Sequence, residues 1–167
     1  MTAPTTAQMM NAVIDAMIAR IETNKTALGI SSVEERDEMP GYVEPGACFV
    51  IPLVEGRDVM RTPIGGGPLE HEIPVTIVAH YRTETVAAGL RSTRDRGYGM
   101  IDLFHGSHAA ETVEGSVVEE GEGEEPDVVL GTALAYTADP TLEVGYARVA
   151  DYVLHWYIVK ISLKTVI

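Results

Sequence analysis

His105 and His108 stand three residues apart, and Glu111 follows three further on. Three protein ligands and one open position make a catalytic zinc centre. Steps of three also keep side chains within one sector of a helix. The usual helical zinc pair is spaced by four, however, and Gly106 interrupts the helix that would hold this one. Exposed histidines at a helix end are the plainer reading. Ser107 lies between the two histidines, but no G-x-S-x-G elbow surrounds it. Gly65, Gly66 and Gly67 resemble a phosphate loop only in composition, because no Lys-Ser/Thr pair follows them. Arg91, Arg94 and Arg96 are the basic cluster of the chain, with Asp95 among them. They suit an acidic partner surface, a DNA backbone, or local ion pairs at a solvated helix start. No catalytic signature emerges, and no enzyme, cofactor or metal is expected.

Charge narrows the field further. Twelve Lys and Arg against 25 Asp and Glu give a formal net charge of −13. Nucleic-acid binding calls for clustered cations, so the bulk electrostatics argue against it. The negative charge is concentrated: Glu111, Glu114, Glu119, Glu120, Glu122, Glu124, Glu125 and Asp127 fall in one segment without a basic residue. Residues 114–127, rich in Gly and Glu, have the composition of a solvated or disordered loop. The 167 residues, 46% of them hydrophobic, suit a single α+β domain spanning 1–167. No apolar run approaches the roughly 18 residues of a membrane span. A signal peptide is not expected either, since no Lys or Arg precedes the first apolar segment and Asn11 and Asp15 interrupt it. Cys48 is the single cysteine, which fits a reducing cytoplasm.

The elements that position these residues follow from periodicity. Thr5 and Gln8 have capping-box spacing, and Met10, Val13, Ile14, Met17, Ile18 and Ile21 follow a helical repeat. This predicts an amphipathic helix over Thr6–Asn24. A short strand and an acidic turn are expected within Leu28–Met39. Ala47–Val54 reads as a buried strand, with Pro52 marking an edge or bulge. A long hairpin is expected around 56–70, with Gly65-Gly-Gly-Pro68 at its tip. Leu69–Tyr81 alternates, placing Leu69, His71, Ile73, Val75, Ile77, Ala79 and Tyr81 on one face. Thr83–Ser92 reads as a linker and Thr93–Val113 as a second helix. Val128–Tyr136 is expected to be a strand, with Ala138-Asp-Pro-Thr141 as its turn. Val149–Val166 reads as a long strand with neither Gly nor Pro. Val153, His155, Tyr157, Val159, Ile161 and Leu163 share one face of it. The other face is apolar to Ile158 and polar beyond, which places Trp156 in the core and leaves the strand either central or projecting toward another subunit. Helices packed on a largely antiparallel sheet follow from this order.

The layout resembles the neck and tail-completion proteins of tailed bacteriophages, in particular the tail terminators. The likeness rests on Ile21-Glu-Thr-Asn-Lys-Thr-Ala-Leu-Gly-Ile30 after the amphipathic helix, then Pro45-Gly-Ala-Cys-Phe-Val-Ile51, then a hairpin, a helix and long terminal strands. The element order matches over most of the chain, the residues over about 8–54. The resemblance implies a structural virion protein assembled as a ring, a hexamer in most members. Such a ring caps the tail tube protein, meets the head connector or stopper, and lets DNA pass through without sequence-specific binding. It carries no catalytic residues over to this chain. On this reading Glu119, Glu120, Glu122, Glu124, Glu125 and Asp127 form a lumen-facing or partner-facing loop. Arg91, Arg94, Arg96, Lys160 and Lys164 become candidates for contacts between subunits. The acidic insertion at 114–127 and the hairpin at 56–70 depart from the simplest members and leave the position in the neck open between tail terminator and head–tail adaptor. A small ligand-binding module of other origin, or a hydrolase using His105, His108 and Glu111, are the alternatives.

Overall fold

A computed structural model describes residues 5–41, 44–53, 56–62, 64–104, 128–130 and 133–166, with 128–130, 133–138 and 166 described through their backbone alone. Helix α1 spans Thr6–Leu28. The Thr5 side chain accepts from Gln8 N, and the Gln8 side chain accepts from Thr5 N, so the capping box forms. The helix runs one turn beyond the expected end. It stops at Gly29, whose φ of 69° is the left-handed conformation glycine adopts without a Cβ penalty. Val13, Ile14, Met17 and Ile21 are buried as their spacing requires.

Among the described residues seven strands form one sheet in the order β1-β2-β4-β7-β6-β5, with β3 alongside β4. They are β1 Ser32–Glu35, β2 Ala47–Pro52, β3 Val59–Arg61, β4 Glu70–Thr83, β5 Val128–Leu130, β6 Ala133–Val149 and β7 Tyr152–Val166. The β1–β2 pair is parallel and the others are antiparallel. The fold is α+β, with α1 and helix α2 (Val86–Asp102) on the same face of the sheet.

The prolines sit where the ladder can do without their N–H. Strand β1 ends opposite Val50, two residues short of Pro52. Pro74 lies inside β4, yet its carbonyl accepts from Leu53 N at 2.9 Å. A strand residue's N and O point to the same side, so the missing donor faces the break between β2 and β3 and not β7.

Four expectations change. Val128–Tyr136 is not one strand, since Val128–Leu130 in β5 pairs antiparallel with Ala133–Ala135 in β6. The second helix begins at Val86, not Thr93, because the Thr85 hydroxyl accepts from Ala88 N and starts it. Its buried face is Gly89, Thr93, Gly97 and Met100, mostly small residues that let the helix sit close to the sheet. Asp139 and Pro140 do not turn the chain. They form a bulge in a 17-residue strand, with Asp139 at φ 52° and the register slipping between Ala138 and Thr141. Finally, β7 is central, paired with β4 on one side and β6 on the other. Its odd residues from Val153 to Thr165 are buried under the helices, while its even residues, Trp156 included, are only half-buried. Trp156 therefore lies on the far face of the sheet and not in the core.

Candidate interaction surface

The helix-covered face holds a polar cluster that fixes α2. The Tyr81 hydroxyl donates to the Gly89 carbonyl at 2.7 Å, and the Thr93 hydroxyl donates to the same oxygen at 2.6 Å. The two hydroxyls also touch each other. His155 stacks on Tyr81, with ring centroids 5.5 Å apart and planes 22° apart, and Tyr146 tilts against its other side at 5.9 Å. The Arg96 guanidinium lies 4.0 Å from the Tyr81 ring centroid. A Cβ built on Gly89 would overlap the His155 ring, so only glycine allows this approach. Among the described residues neither His155 nitrogen nor the Tyr157 hydroxyl has a hydrogen-bond partner, so these side chains serve through their rings. Burial pushes the Cys48 thiol up to about 12. Burial also pushes the Tyr157 hydroxyl upward, Cys48 adds to this, and Arg96 opposes it. Both groups stay protonated at neutral pH, so neither supplies a base or nucleophile.

The far face of the sheet is different. Ala47, Phe49, Ile51 and Val78 form a small buried cluster there, with Ile158 against it. Arg36 covers Phe49, its guanidinium 4.3 Å from the ring centroid. Beyond this cover a groove of about 400 Å³ remains, lined by Met39, Pro40, His80, Leu154, Trp156 and Ile158 among others. Trp156 lies across Gly145, its cross-strand partner, where a side chain would collide with the indole. Burial lowers the pKa of His80, which keeps its imidazole neutral at neutral pH. Arg82 stacks on the rim residue Tyr152 at 4.5 Å.

The opposite end of β4 carries the hairpin. Its stem is pinned: His71 Nδ1 lies 2.7 Å from Asp58 Oδ2, Arg61 pairs with Glu72 at 3.1 Å, and Ser162 donates to Glu72 at 2.9 Å. Its tip is apolar and in water. Ile64 is fully exposed, Met60 is 59% exposed, and Gly65, Gly66 and Gly67 all have positive φ. The lateral margin of the sheet is also open. Strand β5 covers β6 only over Ala133–Ala135. From Tyr136 to Val149 the outer edge of β6 has no strand beside it among the described residues. Val144 and Tyr146, 42% and 45% exposed, stand along this edge.

The residues singled out in the sequence fall in separate places. Arg91 and Arg94 are exposed on α2, each with Nε 3.9 Å from Asp95, which is the local pairing their spacing suggested. Arg96 turns inward onto Tyr81. Lys160 and Lys164 lie on the far face of β7, opposite Thr76 and Glu72 of β4. Residues 105–127, which include His105, His108, Glu111 and the acidic run Glu119, Glu120, Glu122, Glu124, Glu125 and Asp127, lie outside the described residues. Among the described residues no group of three His, Cys, Asp or Glu is placed to hold a metal ion. No helix among them is long and apolar enough to cross a membrane. Sequence reading missed the groove and the open edge, because neither has a residue signature.

No protein-family model matches the chain, and no curated protein matches it. Among solved structures, the chain is similar to a chain from the virion of a native gene transfer agent particle. That alignment has 13% identity, covers 93% of this chain and 92% of the other, and has a TM-score of 0.44.

Proposed function

We infer that this chain is a structural ring subunit at the tail end or neck of a tailed bacteriophage, capping the tail tube and joining it to the head connector while leaving a channel for DNA. The observation that carries this reading is the open edge of β6. A long strand held by β7 on one side presents, among the described residues, up to 14 residues of backbone with no strand on the other. Isolated soluble domains blunt such edges with charges, prolines or covering segments. Here one bulge at Asp139-Pro140 is followed by Thr141–Val149, in which the charges are Glu143 and Arg148 alone. Strand addition from a neighbour satisfies those backbone groups. The sequence resemblance to tail terminators supplies the viral setting.

In this proposal the reading needs no catalytic residue. The acidic run from Glu119 to Asp127 supplies like charge past which DNA slides without adhering. The test is to mix the purified chain with tail tubes and with the head connector. Ring-shaped caps on tube ends support the tail-terminator assignment. Binding to the connector alone moves the chain to the adaptor position. Failure to bind either refutes the neck assignment.

A further inference from the structure

We propose that the hairpin tip of one copy, centred on Ile64, docks in the groove around Trp156 of a second copy. This inference rests on the ring reading and names the contact that would build it. The tip and the groove lie at opposite ends of the same strands. The tip precedes Glu70, while the groove is lined by Val78 and His80 of β4 and by Tyr152–Ile158 of β7. Ten residues of extended β4 between Glu70 and His80 span about 33 Å. The tip therefore cannot fill its own groove. Two different surfaces on one chain that fit each other produce head-to-tail contacts, and such contacts close into rings when the rotation allows.

The charges favour a second copy as the occupant. Copies of a chain with net charge −13 repel each other, so they meet best through patches that carry no acid. The tip from Thr62 to Leu69 contains no charged residue, and the nearest cation, Arg61, is already paired with Glu72. Among the described residues the groove lining contains no Asp, Glu, Lys or Arg, and its one histidine, His80, is held neutral. At about 400 Å³ the groove exceeds by far the roughly 30 Å³ of one water and accepts apolar side chains. The Asp58–His71 and Arg61–Glu72 pairs hold the stem of the hairpin whose tip carries the exposed Ile64.

The experiment uses the full chain. Ile64→Cys and Leu154→Cys variants are mixed and oxidised, and assembly of Ile64→Asp is followed by light scattering against concentration. The mixed disulfide should form in preference to either like pair. Ile64→Asp should raise the concentration for half-assembly roughly ten- to a hundredfold, the worth of one buried isoleucine. Ile64 is fully exposed among the described residues, so this change should leave the monomer folded, and an unchanged melting temperature of dilute protein checks that. If wild type forms rings, the mixed disulfide does not form and Ile64→Asp assembles normally, the docking contact is refuted while the ring reading stands. Wild type that stays monomeric at every concentration refutes both.

Discussion

Gly89 and Gly99 lie on the same helix and should respond to the same substitution with opposite signs. Alanine in place of a helical glycine gains roughly 1 kcal/mol from backbone entropy alone. At Gly99 the added methyl meets, among the described residues, only Leu28 Cδ2, at 3.3 Å, the far end of a flexible side chain. Gly99→Ala should therefore stabilise by up to about 1 kcal/mol. At Gly89 the methyl would fall within the His155 imidazole. That ring has no exposed surface and is held between Tyr81 and Tyr146, so it cannot swing away. Overpacking of this kind costs roughly 1–3 kcal/mol. Here the upper part of that range applies, so after the propensity gain Gly89→Ala should destabilise by about 1–2 kcal/mol. The midpoint of thermal unfolding should fall by about 2–8 °C for a chain of this size. Urea unfolding at fixed protein concentration measures both variants, and m should stay constant. In a His155→Ala background the Gly89→Ala cost should vanish, which isolates the contact as a coupling energy. If Gly89→Ala proves as stable as Gly99→Ala, α2 does not sit against β7 as described.

Further expectations follow from the same cluster and core. Tyr81→Phe removes one of two hydroxyls bonded to the Gly89 carbonyl, and because Thr93 remains bonded it should cost only about 1 kcal/mol in urea unfolding. Ile14→Asp places a carboxylate in the α1–sheet interface and should abolish soluble folded protein, which circular dichroism would show. Trp156→Ala, at a half-buried site, should cost roughly 1–2 kcal/mol, below the 3–5 of a fully buried aromatic, while weakening assembly. Cys48 should resist alkylation in the native protein at pH 8. Its thiol stays protonated to about pH 12 when folded but ionises from about pH 9 when unfolded. The unfolded state then binds fewer protons, so stability should fall as pH rises through that window, by up to about 1.4 kcal/mol per pH unit from this group.

The parts of the fold that were legible in the sequence are those set by periodic apolar residues. Thr5 and Gln8 announced the start of α1, and the parity of β4 and β7 gave the buried face from His71 and from Val153 onward, because a half-buried strand repeats every two residues, while Leu69 lies before β4 and is exposed. Helix α2 was misplaced because its buried stripe, Gly89, Thr93 and Gly97, is small and polar by composition, and its burial arises from close approach to His155 and Leu142. Thr85 ahead of that stripe was the available signal. Asp139-Pro140 has turn chemistry, and only the long pairing with β7 makes it a bulge. Trp156 was read as core because strand composition does not reveal what covers a face. The candidate site was the least legible part. The hairpin tip could be anticipated from Gly65-Gly-Gly-Pro68, whereas the groove joins Met39, Val78 and Trp156 from three distant segments.

The central claim is that the chain closes on itself into a ring. Native mass measurement over a range of concentrations tests it most directly. The account predicts a discrete species, expected at six times the 18.0 kDa chain, that persists as protein concentration rises. A mass of one chain at every concentration, or an open ladder of sizes without a closed end point, would contradict it.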